Sequence, residues 1–403
     1  MITRVSDNMK FDLLNNSMSN VEVQYNDIME KLSTQKQVNR PSDDPLGMGQ
    51  ILDYRSALAQ VSNYQTNINS NKSWLSAAES NLTNVNDILT SIKTTAISQA
   101  SATATASTRQ IAADSLQPLI DQIRSLANSK FGNSYLFSGT RTYTETDTET
   151  EPFSATASAA RIDPAVAAKG NTCAVAPTAS GTYMGTTNNT YVVKITTGGD
   201  LSAAEYSLSS DGGKTWGAST PFAGVGTIFP VDGITLTFAP GTFATNDVFY
   251  VHAYVAGYYN GNGEELSNEV SNGVTSNYSI TGEEAFTGQG KGTVDIFKVL
   301  DDLKTALQNN DTNGITSQLD LLDQASAQIS RYTGQCGTRT NALDASNSAL
   351  TDMNTRLTSL KSNIEDADVA KLATDFQMKQ LALEATYKIA GDLGSMSIIG
   401  FLK

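Results

Sequence analysis

Two adjacent carboxylates beside a guanidinium, Asp43 and Asp44 with Arg40 in "NRPSDDPLGMG" (39–49), have the residue types and spacing of an acid–base pair or a small metal site. Their neighbours argue for a different role. Pro41 and Pro45 each push the residue before them, Arg40 and Asp44, out of the α conformation. A helix arriving from the N-terminal side must therefore stop by about Asn39. Asp44 then precedes Pro45 as an N-cap precedes a first-turn proline, with its carboxylate at the positive end of the next helix. Asp43 is expected to share that cap or to pair with Arg40. The turn Arg40, Pro41, Ser42, Asp43, Asp44, Pro45 reads as punctuation between helices, with no substrate required.

The other residues capable of chemistry are isolated. His252 is the single histidine, on a strand face with Val248, Tyr250 and Tyr254. Without a second histidine, metal coordination and Ser–His catalysis lose their usual members. "SSDGGKTW" (209–216) matches the S-x-D-x-G-x-x-W pattern that recurs in sialidase propellers, but it occurs here once. Asp211, Gly212 and Gly213 are expected to form a hairpin turn and Trp216 its apolar plug. "TETDTETE" (144–151) alternates threonine with acid and lacks EF-hand spacing, so it reads as a solvated loop or exposed strand. Cys173 and Cys336 form neither a disulfide framework nor a zinc motif and are expected to be separate thiols. No catalytic, metal or cofactor-binding residue is assigned.

The net charge of −14 argues against a surface built to neutralise nucleic-acid phosphates or anionic lipid. The opening "MITRVSDNMKFDLLNNS" holds no signal-peptide-like apolar stretch, and no segment approaches a transmembrane span.

The elements that must carry these residues fall into three blocks. Residues 141–290 hold 19 of the 30 glycines, 17 of the 30 aromatics and 6 of the 9 prolines. Within them "TYVVKITT", "GITLTFA" and "DVFYVHAYV" have strand character. The flanks carry heptads. Leu14, Met18, Val21, Tyr25, Ile28 and Leu32 are spaced 4-3-4-3-4. A second seam runs Ile51, Tyr54, Leu58, Val61, Ile68, Leu75, Ala78, Leu82, Val85, Leu89 and Ile92, with Gln65 and Lys72 as polar interruptions. It predicts a helix over about 47–97, roughly 75 Å long. After the small-residue stretch "SQASATATASTRQ", a further helix is expected over about 107–130, kinked or restarted at Pro118. The C-terminal flank repeats the pattern from Leu322 through Ala325, Ile329, Tyr332, Cys336, Leu343, Leu350, Met353, Leu357, Leu360 and Ile364, with Arg339 and Ser346 as polar positions. Such seams need partner helices along their length. The fold class is therefore α+β: a long antiparallel coiled-coil rod from both chain ends, carrying an inserted β-rich domain.

The ends themselves are apolar where chain ends are usually polar. Ile2, Val5, Met9, Leu14 and Met18 share a stripe at one end; Val369, Leu372, Phe376, Leu383, Tyr387, Ile398, Ile399, Phe401 and Leu402 do so at the other. They are expected to pair with each other and, as a pair, to pack into an assembly. The expected organisation is 1–40 with 367–403 as a terminal coiled coil, 41–140 with 291–366 as a helical bundle, and 141–290 as the β-rich insert.

Several stretches together resemble the bacterial flagellin superfamily: "LSTQKQVNRPSDDPLGMGQILDYRSAL", "NSYLFSGTRT" followed by "EPF", "YYNGNGEELSNEVSNGVTSNYSITGEEAF" and "SNIEDADVAKLATDFQMKQLALEATYKIAG". The prolines of the first stretch and the ending "SIIGFLK" are similar to the branch of that superfamily found at the hook–filament junction. The resemblance covers both flanks and not the central block. It implies a non-enzymatic extracellular subunit, exported unfolded through the flagellar type III apparatus with an export chaperone on its C-terminal segment. It further implies a ring of copies between the first hook-associated protein and flagellin, with both termini in an inner coiled coil. Partners would exclude nucleic acid and membrane. Filament-forming flagellin is the nearest alternative; the first hook-associated protein, and a surface adhesin or glycan-binding protein acting through the insert, are the others.

Overall fold

The structure is a computed structural model that describes residues 7–141, 151–168, 170–173, 175–213, 215–222, 226–228, 232–287 and 294–401. Of residues 7, 8, 10, 11 and 393–401 only the backbone is described. The "TETDTETE" run thus lies outside the described residues except for Glu151.

Seven helices are present among these residues: α1 (Asp7–Thr34), α2 (Pro45–Ala100), α3 (Ala106–Ala127), α4 (Gly282–Phe286), α5 (Ile296–Gln308), α6 (Thr312–Glu365) and α7 (Val369–Phe401). Short polar side chains start most of them. Thr105 and Thr108 make a reciprocal capping box at α3; Asp295, Asp311 and Asp368 accept from backbone N–H groups in the first turns of α5, α6 and α7. The chain divides into two compact units, Met1–Gln65 with Asn347–Lys403, and Thr66–Ser346.

In the first unit, α1 and α7 pack on one another, with Tyr25 and Phe376 in ring contact at 5.2 Å. The start of α2 lies along the end of α6, as the Gln65–Thr351 and Arg55–Glu365 hydrogen bonds show.

The second unit contains a helical bundle and a β domain. Residues of α2 and α6 meet in antiparallel order, Lys72 with Asp344, Asn86 with Ser326 and Lys93 with Asp323. The expected seam is the core: Ile68, Leu75, Ala78, Leu82, Val85, Leu89 and Ile92 face Leu322, Ala325, Ile329, Tyr332, Cys336 and Leu343, all buried. The polar interruptions are matched from across the helix pair, and Arg339 leaves the seam to donate to Ser279 O (2.6 Å) and Glu265 (2.5 Å). α3 and α5 complete the bundle, also antiparallel, through Gln117–Lys304 and Arg109–Asn310. Pro118 does not end α3. It sits on the exposed face, where water can satisfy the carbonyl it frees.

The β domain is built on an all-antiparallel sheet in the order Thr220–Pro221, Glu205–Ser209, Asn189–Thr197, Val248–Tyr254, Arg161–Ile162, with Val166–Ala167 also pairing Val248–Tyr254. A second sheet orders Thr227–Ile228, Ile234–Thr237 and Thr178–Gly181. Alternation decides the faces: Tyr191, Val193, Ile195, Phe249, Val251 and Ala253 point into a core closed by Leu236, Phe238 and Phe243. At its base Phe137, Phe153, Tyr259, Phe286 and Phe297 form an aromatic cluster with centroids 4.9–5.3 Å apart along the chain of contacts. Gly282 sits inside it because a Cβ there would lie 2.5 Å from both Phe137 O and the Tyr259 ring.

Candidate functional site

The proline turn is built as a bracket. α1 ends at Thr34, and Gln35 turns left-handed at φ 56°, a common helix exit. The strand-like residues that follow make a two-residue antiparallel bridge with the α6–α7 connection. Gln37 N donates to Glu365 O at 2.8 Å, and Ala367 N to Gln35 O at 3.0 Å. Val38 is buried beneath the bridge.

The two aspartates then separate in role. Asp44 Oδ1 accepts from Leu46 N (3.1 Å) and Gly47 N (2.9 Å), the N-cap expected for α2. Asp43 neither shares that cap nor meets the Arg40 guanidinium. Its Oδ2 accepts the backbone amides of Arg40 (2.9 Å) and Asn39 (3.0 Å), closing the turn backwards, and these bonds hold its carboxyl below the usual range. Arg40 instead grips Glu30 on α1 through both carboxylate oxygens at 2.8 Å. Gly47 is required at the start of α2 because a Cβ would meet Asp44 Oδ2 at 2.3 Å and Ile364 at 3.1 Å. Pro41 and Ser42 are exposed on the rim of the turn, as is Pro45.

Glu365 is the residue that sequence reasoning missed here. Its side chain is almost fully buried and bonded by Lys36 (2.5 Å) and Arg55 (2.6 Å), with Lys361 at 3.7 Å. Burial works against its charge, but the Lys36 and Arg55 hydrogen bonds outweigh that and lower its pKa. One carboxylate thus ties together the exit of α1, the first turns of α2 and the end of α6. A glutamate at the end of a heptad run carries no local signal of this, since Arg55 lies 310 residues away.

Beyond the bracket, α1 and α7 bury one stripe each. Leu14, Met18, Val21, Tyr25, Ile28 and Leu32 are half-buried at the expected heptad positions, Leu372 is buried, and Phe376 and Leu383 are half-buried. A second apolar set stays outside: Met9, Leu13 (72% exposed), Val23, Met378, Leu381 (68%), Tyr387 and Ile389. Tyr387 and Met9, assigned to the paired stripe by sequence, belong to this outer set. Ile2, Val5 and Leu402 lie outside the described residues; Ile398, Ile399 and Phe401 are placed on α7 by backbone only. Met353 and Leu360 depart from the seam as well, and with Leu357 they line an open groove on α6 of about 520 Å³.

The remaining chemistry-capable residues stay apart. His252 points away from the β core, with Nδ1 3.1 Å from Thr190 Oγ1; burial first, then the Arg141 charge, lowers its pKa to about 4. Asp211 organises its hairpin as expected, accepting from Ser209 Oγ, Thr215 N and Thr215 Oγ1 at 2.6–2.9 Å. Trp216 lies over the turn, its ring 3.5 Å from where a Cβ on Gly213 would sit, but at 42% exposed it is not the enclosed plug expected, and Lys194 Nζ stands 5.8 Å from its centroid. Cys173 and Cys336 are free. Among the described residues there is no cluster of metal-ligating side chains, and no helix is long and apolar enough to cross a membrane.

Comparison with known proteins bears on the helical flanks. Residues 5–142 match the bacterial flagellin N-terminal helical region, and residues 319–402 the bacterial flagellin C-terminal helical region. The flagellar hook-associated protein 3 of Salmonella typhimurium is 30% identical over 140 residues, 34% of this chain and 44% of that protein. A flagellin of Clostridium tyrobutyricum is 28% identical over 133 residues, 32% of this chain and 35% of that protein. These alignments span less than half of either relative. A solved structure from Vibrio parahaemolyticus, assigned as a flagellar hook-associated protein, superposes with a TM-score of 0.50 at 16% identity, covering 80% of this chain and all of that one. That likeness concerns the fold. With both helical flanks matched, together more than half of its residues, the chain belongs to the bacterial flagellin family, a family of structural, non-enzymatic components of the flagellum.

Proposed function

We propose that the chain is the structural subunit that joins the hook-associated zone of the flagellum to the flagellin filament. The observation that carries this reading is the second apolar face of the α1–α7 pair. Two helices can bury only one stripe each against one another, so Leu13, Val23, Met378, Leu381 and Ile389 need further surfaces. A stripe repeated on both helices suits packing among copies of the same pair. The junction position is supported by the prolines of the 40–45 turn and by the hook-associated protein 3 relatives. On this reading the functional parts are 1–40 with 367–403, 41–140 with 291–366, and 141–290. The partners are further copies in a ring, the first hook-associated protein, flagellin, and the type III export apparatus with a chaperone. The location is extracellular, on the flagellum.

The match to a flagellin favours the second reading, a filament-forming subunit. Polymerisation of the purified protein separates the two. A junction subunit adds to hook ends and stays short; long filaments growing from this protein alone at moderate salt would replace the first reading by the second.

A further inference from the structure

Four Asn–Gly pairs occur in the chain, at 260–261, 262–263, 272–273 and 313–314. Such a pair can react with itself. The glycine nitrogen, on losing its proton, attacks the asparagine side-chain carbon, and glycine has no side chain to obstruct the approach. The fold decides whether the asparagine side chain is free to swing over that nitrogen.

Three of the pairs are locked. Asn260 is buried, with Nδ2 donating to Glu151 O at 3.1 Å and Oδ1 accepting from Arg161 at 3.0 Å. Asn262 is buried too; its Oδ1 accepts from Thr140 N at 2.9 Å, and its Nδ2 donates to Thr140 Oγ1 at 2.8 Å and Thr190 Oγ1 at 3.2 Å. Asn313 is exposed but lies in the first turn of α6, where helical backbone angles hold its side-chain carbon away from Gly314 N. Asn272 and Gly273 differ from all of these. They form the exposed two-residue loop between strands Ser267–Ser271 and Val274–Asn277, closed by the Ser271–Val274 pair. Gly273 turns left-handed at φ 69°, and a Cβ added to it would meet nothing within 4 Å.

The proton that must leave already has an acceptor. Gly273 N donates to Glu269 Oε1 at 3.0 Å, the reach a general base needs. An N–H lies in the plane of its peptide, so a carboxylate taking the proton leaves both faces of the nitrogen open to attack. Glu269 is itself positioned by its backbone: it pairs with Thr275, and its carbonyl accepts from Asn67 Nδ2 on α2 at 2.9 Å.

We propose that Asn272 is a self-deamidation site, with Glu269 as the base that activates Gly273. Glu269 takes the Gly273 amide proton as the nitrogen bonds to Asn272 Cγ. The Cγ–Nδ2 bond then breaks, the proton passes to the departing nitrogen, and ammonia leaves. Water opens the resulting cyclic imide at either carbonyl, giving aspartate or iso-aspartate, with no oxidant or reductant consumed. Iso-aspartate adds a main-chain carbon to a two-residue loop, and either product sets a new carboxylate beside Glu269. The hairpin therefore loosens from α2 as the protein ages. This chemistry is independent of the assembly reading, so either can fail alone.

The test is prolonged incubation of the full chain in neutral buffer, followed by peptide mass spectrometry and enzymatic methyl-labelling of iso-aspartate. Asn272 converts first, and Asn260, Asn262 and Asn313 convert at least about tenfold more slowly, because each must first open its local structure. Glu269→Gln keeps an acceptor oxygen for Gly273 N but is no base; it slows conversion about tenfold or more with thermal unfolding unchanged. Should that variant lose its fold, Glu269→Asp supplies the same comparison by drawing the carboxylate back from Gly273 N. No conversion at Asn272, faster conversion at any of the other three pairs, or an unchanged or higher rate in the folded variant would each overturn the proposal.

Discussion

Glu365 shows how one buried charge organises the helix ends. Replacing it by glutamine keeps the shape but removes the charge that Lys36 and Arg55 face. Both partners are nearly half exposed, so water can take over part of what is lost, and Glu365→Gln is expected to cost about 1–2 kcal/mol. Because the folded pKa lies below the ordinary value of 4.5, this stabilisation is fully present above pH 4.5 and is lost as pH falls through the folded value. Hydrogen exchange at the Gln37 and Ala367 amides, which close the bridge, reads it directly. Protection relative to the intrinsic exchange rate falls on acidification in the wild type and is already low in the variant; equal protection in both would discard the role. Asp44→Ala should cost about 0.5–2 kcal/mol through the lost α2 cap, checked by thermal unfolding. Asp43→Ala should instead loosen the 39–43 turn, seen in the exchange of the Asn39 and Arg40 amides, with the α2 cap intact. Asp44 was legible in the sequence because a cap is written within four residues. Asp43 was legible only as a turn residue: a shared cap and a pair with the Arg40 side chain were the expected roles, and its Oδ2 instead takes the two backbone amides behind it. Glu365 was illegible because its partners meet it only once the two chain ends are folded together.

Among the elements, what sequence showed depended on period. The seams of α2 and α6 repeat over so many turns that individual polar positions could not obscure them, and the interruptions Lys72 and Gln65 proved to be answered by Asp344 and Thr351. Where the seam runs out of partners it stops being buried, and Met353 stands 51% exposed although its spacing is unbroken. α5 was not singled out beforehand, yet Ile296, Val299, Leu300, Leu303 and Leu307 follow the 3-4 rule. Its 13 residues are too few for a heptad search tuned to long arms. Trp216 met its expectation in part: a consensus pattern gives the turn and the ring over it, while enclosure of the ring depends on residues outside the pattern. The loops at the bundle end rest on Arg109, which is buried and donates to Gln99 O at 2.9 Å, Ser101 O at 3.1 Å and the Asn310 side chain. Arg109→Met preserves the stem and strands these acceptors, so it should destabilise the bundle by about 2–4 kcal/mol in urea unfolding. A loss below about 0.5 kcal/mol would mean that water reaches those carbonyls and that the arginine is dispensable.

Across the chain, the division of labour rests on what each part leaves unburied. The bundle and the β domain close their cores internally, whereas α1 and α7 keep apolar residues outward after pairing. Removing residues 384–403 takes Tyr387 and Ile389 from the outer set and shortens α7, but leaves every buried position of α2, α3, α5 and α6 in place. The truncated protein should therefore remain monomeric and folded, with an unchanged cooperative unfolding transition of the bundle, and should fail to join hook ends or support filament growth. Complementation of motility in a strain lacking the intact protein, together with imaging of hook tips, measures both halves. A truncated chain that still restores filaments would place the assembly surface elsewhere, and the groove on α6 formed by Met353, Leu357 and Leu360 would become the first surface to test. A truncated chain that unfolds would show instead that the terminal helices stabilise the bundle. That outcome conflicts with a core complete without them, from Ile68 through Leu343.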